Sequence, residues 1–179
     1  MATERWNIDI AHSNVEFVAR HLVVTKVRGH FGKWRGHIDI DTDDITKARA
    51  EATFDVDSID TREPQRDAHL KSPEFLDAEK NPRITFASKK VEKDGNDLKV
   101  TGDLTIRGTT KEIALHVEAY GTNKDPWGNT KLLYAAKTHI NRKDFGMNFN
   151  AVLETGGVLV SDKIEIEIEI QAAKAAAAA

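Results

Sequence analysis

The sequence predicts an all-β protein, a single antiparallel barrel of eight strands with one or two short helices. Polar and apolar residues alternate over many short segments, and a period of two is typical of strands that bury one face. Short turns join about eight such segments, and long helices do not alternate with them as in parallel sheets. The length of 179 residues suits one domain that can bury a core or enclose a cavity.

Three segments show the alternation clearly. In residues 48–57 the even positions are apolar, including Phe54 and Val56, and the odd positions are polar or charged. In residues 163–170 isoleucines alternate with lysine and glutamates. Residues 131–141 predict another strand, with Tyr134 and Ile140 on the same face. Each pattern predicts a half-buried strand with one wet face.

Residues 98–107 and 112–120 predict a hairpin with a four-residue loop, 108–111. The strand register that follows from this loop length places Asp103 opposite His116. On the other face it pairs Ile106 with Ile113, Leu104 with Leu115, and Gly102 with Val117.

Two further features concern turns and register. Asp94-Gly95 predicts a tight turn, and the change of parity between Phe86 and Val91 predicts a bulge near Lys89-Lys90. The valines of residues 20–27 favour a strand.

One segment, residues 62–72, predicts a helix. Thr61 can cap it, Pro64 fits the first turn, and Ser72-Pro73 should end it, because the residue before proline avoids the α region.

The interior of the barrel has two interpretations. Several small residues fall on faces that we assign inward, and they would either leave a slot or mark places where other elements pack closely. These inward residues are Ala50, Ala52, Gly102, Ala119 and Ala136, beside Leu104, Leu115 and Val117.

Composition excludes several classes of protein. Lys and Arg (26) nearly balance Asp and Glu (29), so the net charge is −3, and no basic stripe with interleaved aromatics predicts nucleic-acid binding. The absence of cysteine excludes disulfides and thiolate metal sites. No window reaches the length of a membrane span, so we expect no stable membrane insertion.

The termini predict location and domain boundaries. The first residues lack a basic segment followed by an apolar run, so we expect a cytoplasmic protein, or a periplasmic one if a signal peptide has been removed. We expect one barrel domain over residues 1–171 and treat the alanine-rich residues 172–179 as a low-complexity tail. The sequence leaves open whether the protein forms a homodimer.

Candidate catalytic and metal-binding groups are weak. On the predicted helix Arg66 and His69 share a face while Asp67 points elsewhere, which favours structural contacts over an acid–base group. The spacings of the histidines match no compact metal motif, and no nucleophile elbow or HExxH motif occurs. We therefore predict no catalytic residue, no metal and no cofactor.

Motifs along residues 5–171 resemble the YceI-like family of polyisoprenoid-binding proteins, which fold as lipocalin-like β-barrels. They begin with Trp6-Asn7-Ile8-Asp9, His12-Ser13, Phe17, Arg20-His21-Leu22 and Val27-Arg28-Gly29-His30-Phe31. They continue with Ser58-Ile59-Asp60-Thr61, Arg66-Asp67-Ala68-His69-Leu70, Phe75-Leu76-Asp77 and Pro82-Arg83-Ile84-Thr85-Phe86-Ala87-Ser88. They end with Gly102-Asp103-Leu104-Thr105-Ile106-Arg107-Gly108-Thr109-Thr110-Lys111 and Arg142-Lys143-Asp144-Phe145-Gly146-Met147.

This resemblance implies a short helical turn within residues 20–27, which makes that segment ambiguous, and it also implies a function and a set of ligand contacts. It implies non-catalytic binding, transport or storage of a long isoprenoid lipid, such as a polyprenyl pyrophosphate or isoprenoid quinone, inside a lipocalin-like barrel. The alternative is an enzyme that acts on an isoprenoid-like small molecule with His69 and Asp67 as acid–base groups. Parity and motifs together predict that the lipid contacts Phe17, Phe31, Phe54, Leu70, Phe75, Phe86, Leu104, Ile106, Leu115, Val117, Phe145 and Met147. The predicted head-group contacts are Arg20, His21, Arg66 and His69.

Overall fold

The computed structural model describes residues 2–151 and 159–175. The strands are β1 (Thr3–Ile8), β2 (Asn14–His21), β3 (Thr25–Phe31), β4 (Trp34–Asp41), β5 (Arg49–Asp55), β6 (Ile59–Asp60), β7 (Arg83–Asp94), β8 (Asp97–Ile106), β9 (Thr109–Lys124), β10 (Thr130–Asn141) and β11 (Lys163–Lys174). The α-helix is α1 (Pro64–Lys71), and short 3₁₀ helices occupy Ile10–His12, Ile45–Lys47, Val56–Ser58 and Arg142–Phe145.

Eight strands close a barrel, as predicted. Their order is β1-β4-β5-β7-β8-β9-β10-β11, and pairing of β1 with β11 closes the ring. The other half of β11 pairs with β2, and β3 and the short β6 extend the sheet from there. Every pairing is antiparallel, so the prediction of a single antiparallel lipocalin-like barrel is confirmed.

The last strand closes the ring through residues that composition alone assigns to a tail. Residues 172–174 pair with Ile8, Asn7 and Trp6 of β1, and Ala172 is fully buried. The ordered strand therefore extends three residues beyond residue 171.

The predicted register of the β8–β9 hairpin is wrong by four residues. Arg107 and Gly108 form a two-residue turn, both with positive φ (53° and 74°), and this kind of turn matches the right-handed twist of its strands. Asp103 consequently lies opposite Glu112, and Lys89 bridges both carboxylates at 3.1 and 2.7 Å. The observed apolar and mixed pairs are Ile106 with Thr109, Leu104 with Lys111, Gly102 with Ile113, Val100 with Leu115 and Leu98 with Val117. Because the pairing register differs by an even number of residues, each side chain still lies on its predicted face of the sheet.

The structure contains both the predicted bulge and the predicted tight turn of the β7–β8 hairpin. The register of β7 against β8 shifts between Ser88 and Lys90, which confirms the bulge. A tight turn with Gly95 at φ 63° joins these strands. The ambiguous residues 20–27 are strand except for a three-residue loop, residues 22–24.

The helix forms where it is predicted but has a different N-cap. Pro64 occupies the first turn and Ser72 is the C-cap. Glu63 replaces Thr61 as the N-cap, because its carboxylate accepts hydrogen bonds from the backbone N–H groups of Gln65 and Arg66. Thr61 is instead buried two residues before the N-cap, where it is hydrogen-bonded to Arg66 and Asp67 of the helix.

The barrel has two distinct ends. At the first, which we call the helix end, the Arg107 side chain donates to the carbonyl of Pro73 just after α1 (2.9 Å). The opposite end, which we call the far end, carries the β7–β8 turn and the β9–β10 loop with Trp127. The packed core lies toward the helix end and consists of Phe54, Val56, Ile59, Leu76, Ile84, Leu104, Ile106, Ile140, Phe145 and Met147.

Candidate functional site

An apolar cavity of about 330 Å³ occupies the interior of the barrel. Its walls are the inward faces of the alternating strands. Ile164, Ile166, Ile168 and Ile170 of β11 all line it, whereas the intervening glutamates lie on the other face of the strand. The surface of the cavity is almost entirely carbon.

The cavity extends along most of the barrel. At the helix end its wall includes Leu70 of α1 with Phe75 and Leu76 of the following segment. Toward the far end it includes Ile45 and Ala48. Its volume lies at the lower end of the range of about 300–1,000 Å³ for small-molecule pockets.

Nearly all of the predicted apolar contact residues line this cavity. They are Phe17, Phe31, Phe54, Leu70, Phe75, Phe86, Leu104, Ile106, Leu115, Val117 and Met147. Phe145 does not line it, and only 1% of its surface is exposed. Whether these residues contact a ligand stays a prediction.

The predicted head-group residues lie outside the cavity lining. Arg20 is exposed, and its guanidinium reaches only the carbonyl of Val24 (3.4 Å). His21 forms an isolated bridge with Val160. His69 Nε2 lies 2.9 Å from a carboxylate oxygen of Glu74.

Arg66 and Asp67 both bind the buried Thr61. The Arg66 guanidinium donates to the Thr61 hydroxyl (2.8 Å) and carbonyl (2.6 Å). The Thr61 hydroxyl and N–H donate to Asp67 Oδ1 at 2.5 and 2.9 Å. These contacts anchor the start of α1 to β6, and Asp67 is bonded to Thr61 whereas His69 is bonded to Glu74.

His69 also takes part in an aromatic cluster beside the helix. Its ring centroid lies 5.0 Å from that of Phe75 and 4.8 Å from that of Phe149, both edge to face. The cluster joins α1 to the segment after β10.

The small residues divide into two groups. Ala50, Ala52 and Ala136 line the cavity, as a slot requires. Gly102 lies beneath the ring of Phe86, since a Cβ there would come within 2.6 Å of that ring and of the Ala87 carbonyl. Ala119 is exposed. The barrel therefore keeps a slot, but Gly102 contributes close packing instead of space.

Arg142 is a structural residue that the sequence did not single out individually. Its side chain is 2% exposed, yet it borders the cavity near the helix end. Its guanidinium donates to the carbonyls of Met147, Phe149 and Ser161 at 2.7, 2.7 and 2.9 Å. Burial lowers the pKa of Arg142, and the nearby Asp162 opposes this shift. The only signal for Arg142 in the sequence is that it belongs to the motif of residues 142–147.

Five other polar residues border the cavity, namely Glu16, Arg49, Glu51, Tyr134 and Thr138. The Thr138 hydroxyl is occupied, since it donates to the Ala114 carbonyl (2.9 Å). Tyr134 lies on the same face, and burial raises the pKa of its phenol. Polar groups are therefore few and do not interrupt the apolar walls.

Residues 2–151 and 159–175 hold neither a metal-binding cluster nor a membrane-spanning helix. This part of the chain has no cluster of three or more His, Asp or Glu side chains that could hold a metal ion. Nor does it contain a helix long and apolar enough to cross a membrane.

The fold and site define an antiparallel β-barrel that encloses an apolar cavity. Residues 6–172 match the model of the YceI-like domain. The chain is 38% identical over 164 residues to a UPF0312 protein of Staphylococcus epidermidis, covering 91% of this chain and 94% of the relative. The chain belongs to the YceI-like family.

Solved structures share the fold. A Campylobacter jejuni YceI protein superposes with a TM-score of 0.74 at 32% identity, covering 94% of this chain and 96% of that one. A polyisoprenoid binding domain from Saccharophagus degradans superposes with a TM-score of 0.68 at 15% identity, covering 95% and 98%. The second similarity shows the fold alone.

Proposed function

We propose that this protein binds a long-chain isoprenoid lipid non-covalently inside its barrel and serves as a carrier or store for it. The observation that carries the proposal is the continuous apolar cavity, whose lining includes inward side chains of nearly every strand. A solved domain of the same fold that is described as polyisoprenoid-binding adds support.

The chemistry of the walls favours a hydrocarbon chain. Burial of apolar surface contributes about 0.8 kcal/mol per CH₂, and association costs an estimated 4–15 kcal/mol. A ligand of about ten carbons would therefore barely be retained, whereas a chain of tens of carbons would bind well. Because few polar groups face the cavity, we expect selection for chain length over head group, with polyprenyl pyrophosphates and isoprenoid quinones as the leading candidates.

The contacts of the would-be acid–base residues favour binding over catalysis. Asp67 is held by Thr61, and His69 is held by Glu74 and two phenylalanine rings. Neither lines the cavity, so neither faces the proposed binding space.

Organic extraction of the purified protein followed by mass spectrometry tests the proposal. We expect a co-purifying isoprenoid lipid in near-stoichiometric amount, recovered unchanged after incubation with the protein. Extracts without lipid, from protein that also fails to take up added polyprenyl lipid, would contradict the carrier function. Conversion of the lipid to a product would favour the enzyme.

A further inference from the structure

The most apolar exposed feature of the described residues is the loop between β2 and β3. Leu22, Val23 and Val24 are 47%, 71% and 76% exposed, respectively. They form the three-residue tip of a hairpin that pairs His21 with Thr25. Three consecutive apolar side chains in water at one protruding point are unusual for a soluble protein and indicate an interaction site.

The backbone of this tip makes the choice of residues more unusual. Leu22 and Val23 have φ values of 52° and 69°, in the left-handed region. Asparagine and glycine adopt this region readily, while a β-branched residue such as valine does so at a cost. Local conformation therefore favours a polar residue at both positions, and their apolar side chains need another reason.

Two cations, Arg20 and Lys26, flank the tip at its base. Residues 17–38 contain Arg20, Lys26, Arg28, Lys33 and Arg35 but no Asp or Glu, in a chain whose net charge is −3. Arg20 and Lys26 lie directly opposite each other at the base of the tip, a like-charge pair that is unfavourable by itself.

These two cations lack carboxylate partners within residues 2–151 and 159–175. The nearby Arg28 is paired with Glu16 (2.7 Å). Asp162, which precedes β11, is paired with Arg142 and Lys143. An external anionic surface would complement the pair formed by Arg20 and Lys26.

The tip lies at the helix end of the barrel. The N–H of Leu22 donates to the Leu159 carbonyl, and the N–H of Ser161 donates to that of Arg20. Residues 159–161 lie just before β11. Arg142 donates to the carbonyls of Ser161 and Phe149, and the ring of Phe149 contacts His69 of α1. The tip is therefore at the end where Leu70 of α1 borders the cavity.

We infer that residues 20–26 form a membrane-docking tip, which inserts Leu22, Val23 and Val24 into the surface of an anionic phospholipid bilayer while Arg20 and Lys26 contact the head groups. An apolar tip with a basic collar is the arrangement expected for peripheral binding at the head-group boundary. This inference goes beyond the proposed function and does not depend on it, since docking and cavity occupancy are measured separately.

Vesicle co-sedimentation tests the inference with the full chain. The vesicles are phosphatidylcholine with about 30% phosphatidylglycerol, compared with pure phosphatidylcholine, to separate charge from apolar insertion. We expect wild-type protein to bind the anionic vesicles more tightly, and less so in 1 M salt, where the screening length falls to about 3 Å. Replacing Arg20 and Lys26 by Gln should weaken binding about 20- to 30-fold, at about fivefold per cation.

The apolar tip is tested by the double variant Leu22→Asn/Val23→Asn. Asparagine suits the left-handed backbone, so we expect the melting temperature to be unchanged or higher. We expect vesicle binding to fall about tenfold or more through the lost apolar insertion. Trp127→Asn and Lys99→Gln are the matched controls, since both residues are exposed near the far end, and they should bind like wild type.

Several outcomes would overturn the inference. They are wild-type protein that ignores anionic vesicles, tip variants that bind as wild type, or far-end variants that lose binding equally. If wild-type protein does not bind anionic vesicles, the tip would instead be a binding site for another protein. Lipid extraction from the same samples separates the two proposals, because none of the substituted residues lines the cavity. Vesicle binding without extractable lipid would contradict the carrier function alone.

Discussion

Filling the cavity from β10 is the most direct test of the proposed function. Ala136 is buried, lines the cavity, and lies between Val117 of β9 and Ile168 of β11, which also line it. The substitution Ala136→Phe places a ring where a lipid chain would lie. It should abolish lipid retention without introducing a polar group.

The expected effect on stability has a definite sign. Burying a phenylalanine side chain contributes about 1.5–3 kcal/mol, whereas overpacking a filled core costs about 1–3 kcal/mol. Because a cavity of about 330 Å³ is present, we expect room for the ring after modest adjustment. The lipid-free variant should gain about 1–2 kcal/mol. That corresponds to a rise in melting temperature of about 2–8 °C for a chain of this size.

Thermal unfolding and lipid extraction of the same samples provide the two readings. Ala135→Phe is the matched control, because its side chain lies on the outer face of the same strand. It should retain lipid at the wild-type level. A clear loss of stability in Ala136→Phe would mean that the barrel is filled, and wild-type lipid content would mean that the ligand lies elsewhere.

Three further predictions concern the helix, Arg142 and pH. Leu70→Asp should lower lipid retention severalfold by placing a charge against the apolar wall, as measured by extraction. Arg142→Met should reduce the free energy of unfolding by about 3–5 kcal/mol in denaturant titration, because buried carbonyls lose their donor. Lys131 lowers the pKa of Asp9 below 3.8, so this contribution to stability is complete above that pH and is lost as pH falls through the folded-state pKa. Asp9→Asn should lower the melting temperature near neutral pH and converge with wild type in acid.

Matched variants make these outcomes specific. Ala68→Asp adds the same charge on the exposed side of α1 and should retain lipid. Lys143→Met removes a neighbouring cation that is half exposed, so a loss of stability equal to that of Arg142→Met would contradict the carbonyl argument. Lys131→Met should flatten the acid dependence as Asp9→Asn does, and wild-type behaviour in both would contradict the ion-pair explanation.

Strand alternation predicted the main architecture because it is a local property. The isoleucines of β11 and the even positions of β5 are inward, as their sequence pattern indicates. Of the twelve apolar contact residues that parity and the motifs together predicted, all except Phe145 line the cavity. Local proline and serine signals likewise placed α1 within two residues at its N-terminus and one at its C-terminus.

Pairing register needed information that alternation does not contain. A slip of the β8–β9 hairpin by an even number of residues preserves both faces, so a four-residue loop and a two-residue turn satisfy the pattern equally. The left-handed conformation of Arg107 decided between them. In that register Asp103 lies opposite Glu112. The repulsion between the two carboxylates is offset by Lys89 of the adjacent strand, which forms an ion pair with each.

The sequence by itself determined most strand faces, the helix α1 and the class of barrel, because each depends on neighbours along the chain. Only the tertiary structure decided where space remains inside. Ala136 and Gly102 are both small and inward, yet one borders the cavity and the other is covered by Phe86. Their difference depends on side-chain volumes from separate strands. The same holds for Arg142, whose guanidinium joins the carbonyl of Met147, five residues along the chain, to that of Ser161, nineteen residues along.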